Sequence, residues 1–462
     1  MRDMFMLLVL VPMLYAMVQR PFIAVGMWLW TALFFPNAWV YSIAKVPRYN
    51  LLFAAVAILG YLAWKEKPKI KLTRLGAAIL LFFVWATIST ATSIGNPDWS
   101  WMIWQRFWKV IALFVIIVMV IKDKLHLDFV LWCVVFSVGF YADMEALKFL
   151  VSGGGHNIVG LPGHVLGDRN ELSLAFVMTL PICYYLWTEY GKQSRILSLG
   201  LLGTMAMLVI GVIGTQSRGG FIALLVLGGY MYLKSDRKVL LTVLIILLAI
   251  GMSYMVSDNW TARMETIQSA DEDNSFMTRV VAWKLSFIMA MQHPFFGGGF
   301  KSLEYFPVWS QLSKDFFSYP WFYTGHALPN GTVGRAAHSI YFQVLGDHGF
   351  GGLALYLSCL VGGFLKAGSV ARRARKIGAP DWLPTAATML QLSLFAFAVG
   401  GAALSLAYFD LLFALFGLIV VMETRLLPVF VPQAVRAAAP TAARTVRPSD
   451  ALAPYPEGAR QF

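Results

Sequence analysis

Residues 65–74 (KEKPKIKLTR) form a strongly basic connection between two apolar segments, at 48–64 and 75–94. Each segment is close to the ~20 residues that a helix needs to cross the hydrocarbon core of a bilayer. The same alternation recurs along the chain, in which 58% of residues are hydrophobic and 13% are charged. No stretch alternates in polarity at every second residue, as the strands of a β-barrel would. The sequence therefore predicts an all-α polytopic membrane protein.

The formal net charge of +13 is concentrated in short connections between apolar segments. Besides 65–74, basic residues cluster at 122–124, 192–195, 234–238 and 366–376. Short basic loops separated by pairs of apolar segments are typical of the cytoplasmic side of a membrane protein. The excess positive charge is therefore explained by the orientation of the protein in a lipid membrane, with its basic loops in the cytoplasm. We expect no nucleic-acid partner. The three cysteines lie far apart within apolar runs, which predicts neither a disulfide framework nor a metal site.

Placing the basic loops in the cytoplasm gives a consistent alternation of about 12 transmembrane helices. The predicted spans are approximately 48–64, 75–94, 105–121, 127–150, 170–190, 196–214, 219–233, 239–257, 338–365, 386–404 and 406–423. Region 4–36 adds one crossing, or two if both pieces cross, because Arg20-Pro21 interrupts it. No small-residue cleavage site precedes Arg20, so we expect this region to be retained.

This topology divides the chain into four parts. N-terminal transmembrane helices occupy 1–257, one large periplasmic loop 258–337, C-terminal transmembrane helices 338–430 and a disordered cytoplasmic tail 431–462. Within the loop, apolar residues recur at helical spacing from Phe276 to Met291. They predict an amphipathic helix with Phe276, Val280, Trp283, Phe287 and Met291 on its apolar face. The Gly297-Gly298-Gly299 run that follows is interpreted as a flexible turn.

His338 is the candidate catalytic residue. It lies where the external loop gives way to a membrane helix, in the string Gly334-Arg335-Ala336-Ala337-His338-Ser339-Ile340-Tyr341-Phe342. An imidazole titrates near neutral pH, and a polar group at a helix mouth in a membrane invites a functional explanation. The alternative is a solvated histidine at the interface.

Three arginines share the predicted external face with His338. They are Arg169 in Gly167-Asp168-Arg169-Asn170-Glu171, Arg218 in Ser217-Arg218-Gly219-Gly220, and Arg279 in Thr278-Arg279-Val280. The planar guanidinium fork binds phosphate oxygens bidentately, so the set suits a diphosphate. Each has a structural alternative: a helix start capped by Asp168 and Glu171, a positioning turn at Arg218, or a solvated helix face at Arg279.

Other chemistries find little support in the sequence. The acidic run Asp271-Glu272-Asp273 has no nearby histidine, and such runs are usually solvated. No Walker-type phosphate loop occurs, and the triglycine runs lack the strand-to-helix context of a dinucleotide site. We therefore expect no metal and no cofactor.

The order of these motifs resembles the O-antigen ligase and polymerase superfamily, the group that contains WaaL ligases and Wzy polymerases. The resemblance rests on Ser217-Arg218-Gly219-Gly220, then Arg279-Val280-Val281-Ala282-Trp283, then His293-Pro294-Phe295-Phe296 with the triglycine run. His338-Ser339-Ile340-Tyr341 and Gly346-Asp347-His348-Gly349 complete it. Many relatives have Asn after the histidine and Glu before the later glycine, where this chain has Ser339 and Asp347.

The resemblance implies a GT-C-type membrane glycosyltransferase of the bacterial inner membrane. The implied reaction is metal-independent and inverting, with an undecaprenyl-diphosphate-linked glycan as donor at the periplasmic face. Arg218 and Arg279 match the family's diphosphate-binding arginines, and His338 matches its essential loop-end histidine. We expect an O-antigen ligase that uses lipid A core oligosaccharide as acceptor. A Wzy-like polymerase, a protein O-oligosaccharyltransferase and a transporter of lipid-linked sugars remain alternatives.

Overall fold

A computed structural model describes residues 2–65, 67–234, 274–319 and 333–431, together with Lys238 and Thr242. The regular elements within these ranges are all helical. In chain order they are α1 (Arg2–Gln19), α2 (Pro21–Phe34), α3 (Tyr49–Ala63), α4 (Arg74–Ala91), α5 (Pro97–Val120), α6 (Lys124–Val151), α7 (Arg169–Tyr190), α8 (Arg195–Gly214), α9 (Arg218–Lys234), α10 (Asn274–Gln292), α11 (Phe306–Lys314), α12 (Ile340–Lys376), α13 (Trp382–Gly400) and α14 (Asp410–Val431). Short 3-10 turns occupy Ser302–Glu304 and Gly401–Ala403.

Nine of the described helices are long and apolar enough to cross a membrane, namely α1, α4, α5, α6, α7, α8, α12, α13 and α14. Three shorter apolar helices, α2, α3 and α9, accompany them. This confirms a polytopic all-α membrane protein. The predicted count of about 12 crossings stays a prediction, and its 239–257 span lies outside the described residues. In the N-terminal region, two helices meet at Arg20, where Pro21 begins the second.

Polar residues at the starts of the apolar runs explain where several helices begin. Thr73 accepts a hydrogen bond from the Gly76 amide at 3.0 Å, and Asp123 accepts one from the His126 amide at 3.0 Å. Such caps satisfy amide groups that have no partner within the first turn. They fix the residues at which α4 and α6 begin.

Helices α7 and α13 pack against each other, and together with α6 and α14 they are the membrane-length helices best covered by their neighbours. The Ser393 hydroxyl of α13 donates to the Met178 carbonyl of α7 at 2.7 Å. Helix α12 packs along the other side of α13. It extends to Lys376, so the basic cluster 366–376 is helical and not the loop that we predicted. Cations in the last turn are stabilised by the helix dipole, which favours this extension.

Helix α10 covers the segment predicted to be an amphipathic helix, but its apolar face differs from the predicted one. Val281, Leu285 and Ile288 are buried against α11 and its flanking turns. Phe276 and Met291, from the predicted face, are exposed. Apolar residues surround most of this helix, so periodicity alone does not select the buried side. The remainder of the predicted external loop, 258–273 and 320–332, lies outside the described residues.

Helix α12 is interrupted at Gly349, whose φ of 68° and ψ of −171° are non-helical. Three backbone bonds to the preceding loop replace the lost helical ones. The Phe350 amide donates to Pro294 O at 2.9 Å, and the amides of Gly298 and Gly299 donate to Gly346 O and Asp347 O, each at 2.9 Å. The triglycine run is thus a fixed partner of the break, and our interpretation of it as a flexible turn was wrong.

We predict that Gly349→Ala lowers the stability of the folded protein by at least ~1–3 kcal/mol, because its backbone conformation is essentially restricted to glycine. An added Cβ would also lie 2.6 Å from the carbonyl oxygens of Pro294 and Phe295. Thermal unfolding in detergent measures the effect. Gly362→Ala on the same helix is the control, since its Cβ would meet only Leu75 Cδ1, at 3.8 Å. Equal unfolding temperatures for the two variants would contradict the assignment.

Candidate active site

The Arg169 segment begins α7 through a complete capping box. The Asp168 carboxylate accepts from the Asn170 amide at 2.8 Å, and the Asp168 amide donates to Glu171 Oε2 at 3.1 Å. This is the structural alternative foreseen for the string, and it places Arg169 as the first residue of the helix. The capping box is formed by Asp168 and Glu171 and does not involve the Arg169 guanidinium. The segment can therefore both cap the helix and bind a ligand.

Arg218 begins α9 directly beside the start of α7. The turn before it is tight, with Gln216 at a φ of 53°. The Ser217 hydroxyl donates to the Asn170 side-chain oxygen at 2.7 Å. A Cβ on Gly220 would lie 1.9 Å from Ser173 Oγ, so the two helices approach as closely as glycine allows. The structure therefore brings the Arg169 and Arg218 segments together.

The connection between α13 and α14, residues 401–409, joins these segments to Arg279. The Arg279 guanidinium donates to the Ala403 carbonyl at 3.3 Å. A Cβ on Gly219, the residue after Arg218, would lie 3.1 Å from Ala403 Cβ. Both arginine segments thus meet at Ala403.

His338 meets the same connection two residues further on. Its backbone amide donates to the Ser405 hydroxyl at 2.9 Å. Behind it, a Cβ on Gly401 would lie 2.6 Å from Ile340 Cδ1, so the start of α12 packs tightly on the connection. The Arg218 segment, Arg279 and His338 therefore meet on one short segment, and the Arg169 segment joins them through its contact with the Arg218 segment.

His338 itself is exposed, and its backbone is strained. Its φ of 47° is in the left-handed region, which costs ~1–2 kcal/mol for a residue other than glycine. Partial shielding from solvent and, next, the Arg279 guanidinium lower the pKa of the imidazole. Asp168 and Glu304 act in the opposite direction on that pKa. A strained, exposed histidine among these charges fits a functional position better than a packing one.

The N-termini of α7 and α9 are in contact here, and α12 begins two residues after His338, so the partial positive charges of three helix N-termini lie near these residues. Unsatisfied amide groups and the helix dipole make such ends favourable for phosphate oxygens. With the arginines, these helix ends are the groups of this region that would favour an anion, whereas Asp168 and Glu304 carry the opposite charge. The chemistry that suits this region is the binding of a diphosphate and stabilisation of the charge that develops when the diphosphate departs.

A second polar cluster lies beneath this region, at the break in α12, and we did not predict it. The Tyr408 hydroxyl donates to Asp347 Oδ2 at 2.9 Å and lies 3.0 Å from His348 Nε2. His348 Nδ1 lies 2.9 Å from the Ser89 hydroxyl. The string Gly346-Asp347-His348-Gly349 was noted as a motif without a role. Polar residues within a membrane helix are the signal that could have identified it.

Comparison with known families places most of the site within one domain. Residues 174–357 match the family model described as O-Antigen ligase. This chain carries an O-antigen ligase domain. The resemblance to the O-antigen ligase and polymerase superfamily is thereby confirmed, and the family implies a membrane glycosyltransferase-type enzyme. No curated protein matches the chain.

The O-antigen ligase domain contains Arg218, Arg279 and His338 but neither Arg169 nor the 401–409 connection. Residues 1–191 match a second model, described as a family of unknown function, DUF5935. The two matches overlap in α7, the helix that Arg169 begins. The site is therefore assembled from both matched regions and from the C-terminal helices.

Proposed function

We propose that this protein is a WaaL-type O-antigen ligase with a GT-C-type architecture. It transfers a glycan from undecaprenyl diphosphate to lipid A core oligosaccharide at the periplasmic face of the bacterial inner membrane. The observation that carries the proposal is the meeting of the Arg218 and Arg279 segments and His338 on the connection between α13 and α14. This meeting unites a diphosphate-binding surface with a titratable group inside an O-antigen ligase domain.

Arg218 and Arg279, assisted by Arg169, hold the diphosphate of the donor. During transfer, the bond between the sugar's anomeric carbon and the phosphate oxygen breaks, and undecaprenyl diphosphate leaves with the electron pair. Guanidinium groups already in place neutralise that charge without reorganisation. The acceptor oxygen bonds the same carbon from the opposite face, which inverts its configuration. His338 orients the acceptor hydroxyl and takes its proton.

The orientation of α12 supports a periplasmic site. Its N-terminus lies beside His338, and its last turn carries Arg373, Arg375 and Lys376. Basic residues concentrate on the cytoplasmic side of membrane proteins. The opposite end of the helix then faces the periplasm, where a lipid-linked glycan would be available after export.

Reconstitution with defined substrates tests the function. Purified protein in lipid nanodiscs receives undecaprenyl-diphosphate-linked glycan and, separately, lipid A core, a second lipid-linked repeat unit or a pilin-like protein. Glycosylated lipid A core identifies a ligase, an elongated glycan a polymerase, and a modified protein an O-oligosaccharyltransferase. Translocation of intact donor across proteoliposomes without any product would refute the glycosyltransferase proposal and favour a transporter.

We also predict that transfer continues in EDTA and without added nucleotide. The diphosphate linkage already provides a good leaving group, and the sequence offers neither a nucleotide loop nor a convincing cluster of metal ligands. Product formation with and without chelator, at equal donor concentration, measures this. Loss of activity in EDTA followed by recovery on addition of a divalent cation would refute a metal-independent reaction.

A further inference from the structure

A narrow cleft of about 20 Å³, room for about one water-sized group, opens beside His338, between the 301–304 turn and the first turns of α12. Its lining includes Lys301, Glu304, Phe342, Gln343, Asp347 and Ser405. Ser405 also accepts the hydrogen bond from the His338 amide, so the cleft and the histidine share a neighbour. The charge of Glu304 acts on the His338 imidazole as well. A hydroxyl group that enters this cleft therefore lies next to His338.

Glu304 and Gln343 keep hydrogen-bonding capacity on opposite walls of the cleft. One oxygen of Glu304 accepts from Lys301 Nζ at 2.9 Å, and its other oxygen has no partner among the described residues. The Gln343 side-chain oxygen accepts from the Ala407 amide at 3.2 Å, while its NH₂ group has none within the same part of the chain. One wall thus offers a carboxylate acceptor and the other two amide donors.

The remaining lining narrows the class of ligand. Phe342, stacked on Trp283 at 5.3 Å with an interplanar angle of 9°, contributes an aromatic surface. Leu303 and Ala337 add aliphatic surface. A phosphate dianion has no proton to donate to the Glu304 carboxylate, so it cannot satisfy this wall of the cleft. A sugar combines hydroxyl groups that donate and accept with apolar C–H faces, which matches this lining.

The position of the cleft distinguishes acceptor from donor. Along the 401–409 connection, Ala403 contacts the arginine side, whereas Ser405 and Ala407 contact the cleft side. His338 lies between the two sides. If the arginines hold the donor's diphosphate, the cleft is where the other substrate approaches the histidine.

We propose that the acceptor sugar lies over the mouth of this cleft, with Glu304 and Gln343 hydrogen-bonding hydroxyl groups next to the one that reacts. The proposal rests on the function proposed above and names the subsite that selects the acceptor. Both residues are binding residues rather than catalytic ones. They are expected to set the acceptor KM and not the rate of the chemical step.

The test uses Glu304→Gln and Gln343→Glu in the full-length protein in nanodiscs. Gln343→Glu keeps an oxygen for the Ala407 amide, removes the two donors and adds a negative charge, as does the control substitution Gln292→Glu below. With lipid A core as acceptor and undecaprenyl-diphosphate-linked glycan as donor, each variant should raise the acceptor KM roughly 10- to 100-fold. The donor KM and kcat should stay near their wild-type values. A raised acceptor KM with unchanged kcat is expected when a lost contact stabilises the bound acceptor and the transition state equally.

Gln292 and Asp315 provide matched controls outside the cleft. They form an exposed amide–carboxylate pair, with Gln292 Nε2 donating to Asp315 Oδ2 at 2.7 Å. Gln292→Glu and Asp315→Asn repeat the same chemical changes and should leave both KM values at wild type. An unchanged acceptor KM in both cleft variants would overturn the proposal. So would a rise in the donor KM alone, which would assign the cleft to the donor glycan, or a fall in kcat alone.

Direct binding separates the failure of this subsite from the failure of the proposed function. Calorimetry of delipidated lipid A core oligosaccharide with wild type and the two cleft variants requires no transfer. If the wild type forms no product but binds the oligosaccharide, and the cleft variants weaken that binding, the subsite stands and the ligase function fails. If the wild type does not bind the oligosaccharide, the subsite is refuted.

Discussion

Replacing Arg218 or Arg279 by alanine is expected to reduce kcat/KM for glycan transfer by ~10²–10³, the cost of removing one preorganised electrostatic group from a developing charge. Arg279 bonds the Ala403 carbonyl, and Gly219, the residue after Arg218, packs on Ala403, so we expect the two arginines to bind the same diphosphate. Lysine should restore little of the activity at either position, because it keeps the charge but loses the bidentate fork. Steady-state transfer at matched protein concentration measures the effect.

Arg372→Ala is the matched control, because it removes an exposed arginine from the far end of α12. It should transfer glycan at the wild-type rate. Since Arg279 also bonds the Ala403 carbonyl, thermal unfolding should accompany the kinetics. Near-normal turnover in both the alanine and the lysine variants would defeat the diphosphate assignment. Full rescue by lysine alone would show that charge suffices and that bidentate geometry does not matter.

The sequence predicted the helices well where a polar cap preceded an apolar run. Asp168 and Glu171 at capping-box spacing predicted the start of α7, and the structure contains that box. The sequence did not predict the helix features that depend on tertiary contacts rather than on hydrophobic periodicity. At the break near Gly349, the carbonyl groups of residues 346 and 347 accept hydrogen bonds from the amides of Gly298 and Gly299. These two glycines lie about 50 residues earlier in the chain. No local pattern within α12 reveals such a partner.

The same limit applies to the candidate site. Counting basic loops placed Arg169, Arg218, Arg279 and His338 on one face, but a shared face does not establish contact. The 401–409 connection joins the Arg218 segment, Arg279 and His338, and it contributes a backbone carbonyl at Ala403 and a hydroxyl at Ser405. Neither residue type carries a functional signal in sequence. The left-handed backbone of His338 likewise depends on its surroundings.

The role of His338 is tested best by asparagine as well as alanine. Its φ of 47° is costly for alanine, whereas asparagine tolerates the left-handed region. His338→Asn should therefore preserve the backbone and remove the base. We expect both variants to lose ~10²–10⁴ in turnover, the usual contribution of a well-placed general base. Both should still bind undecaprenyl-diphosphate-linked glycan, because the arginines that hold the diphosphate are unchanged.

The pH dependence of the wild type gives an independent measurement. A base must be neutral to take the acceptor's proton, so activity should fall as the pH drops through the pKa of His338. Partial shielding and Arg279 lower that pKa, which places the acidic limb below the unperturbed value of about 6.5. The His338→Asn variant should lack this limb in its residual activity.

Donor binding and product formation in one His338→Asn preparation decide the role. If the variant still binds the donor but forms no product, His338 acts on the acceptor, because the donor site is then intact without the imidazole. Loss of binding together with turnover, in a protein that unfolds at the wild-type temperature, would assign His338 to the diphosphate site. An unaltered acidic limb in the variant would show that another group titrates, and the general-base role would have to be abandoned.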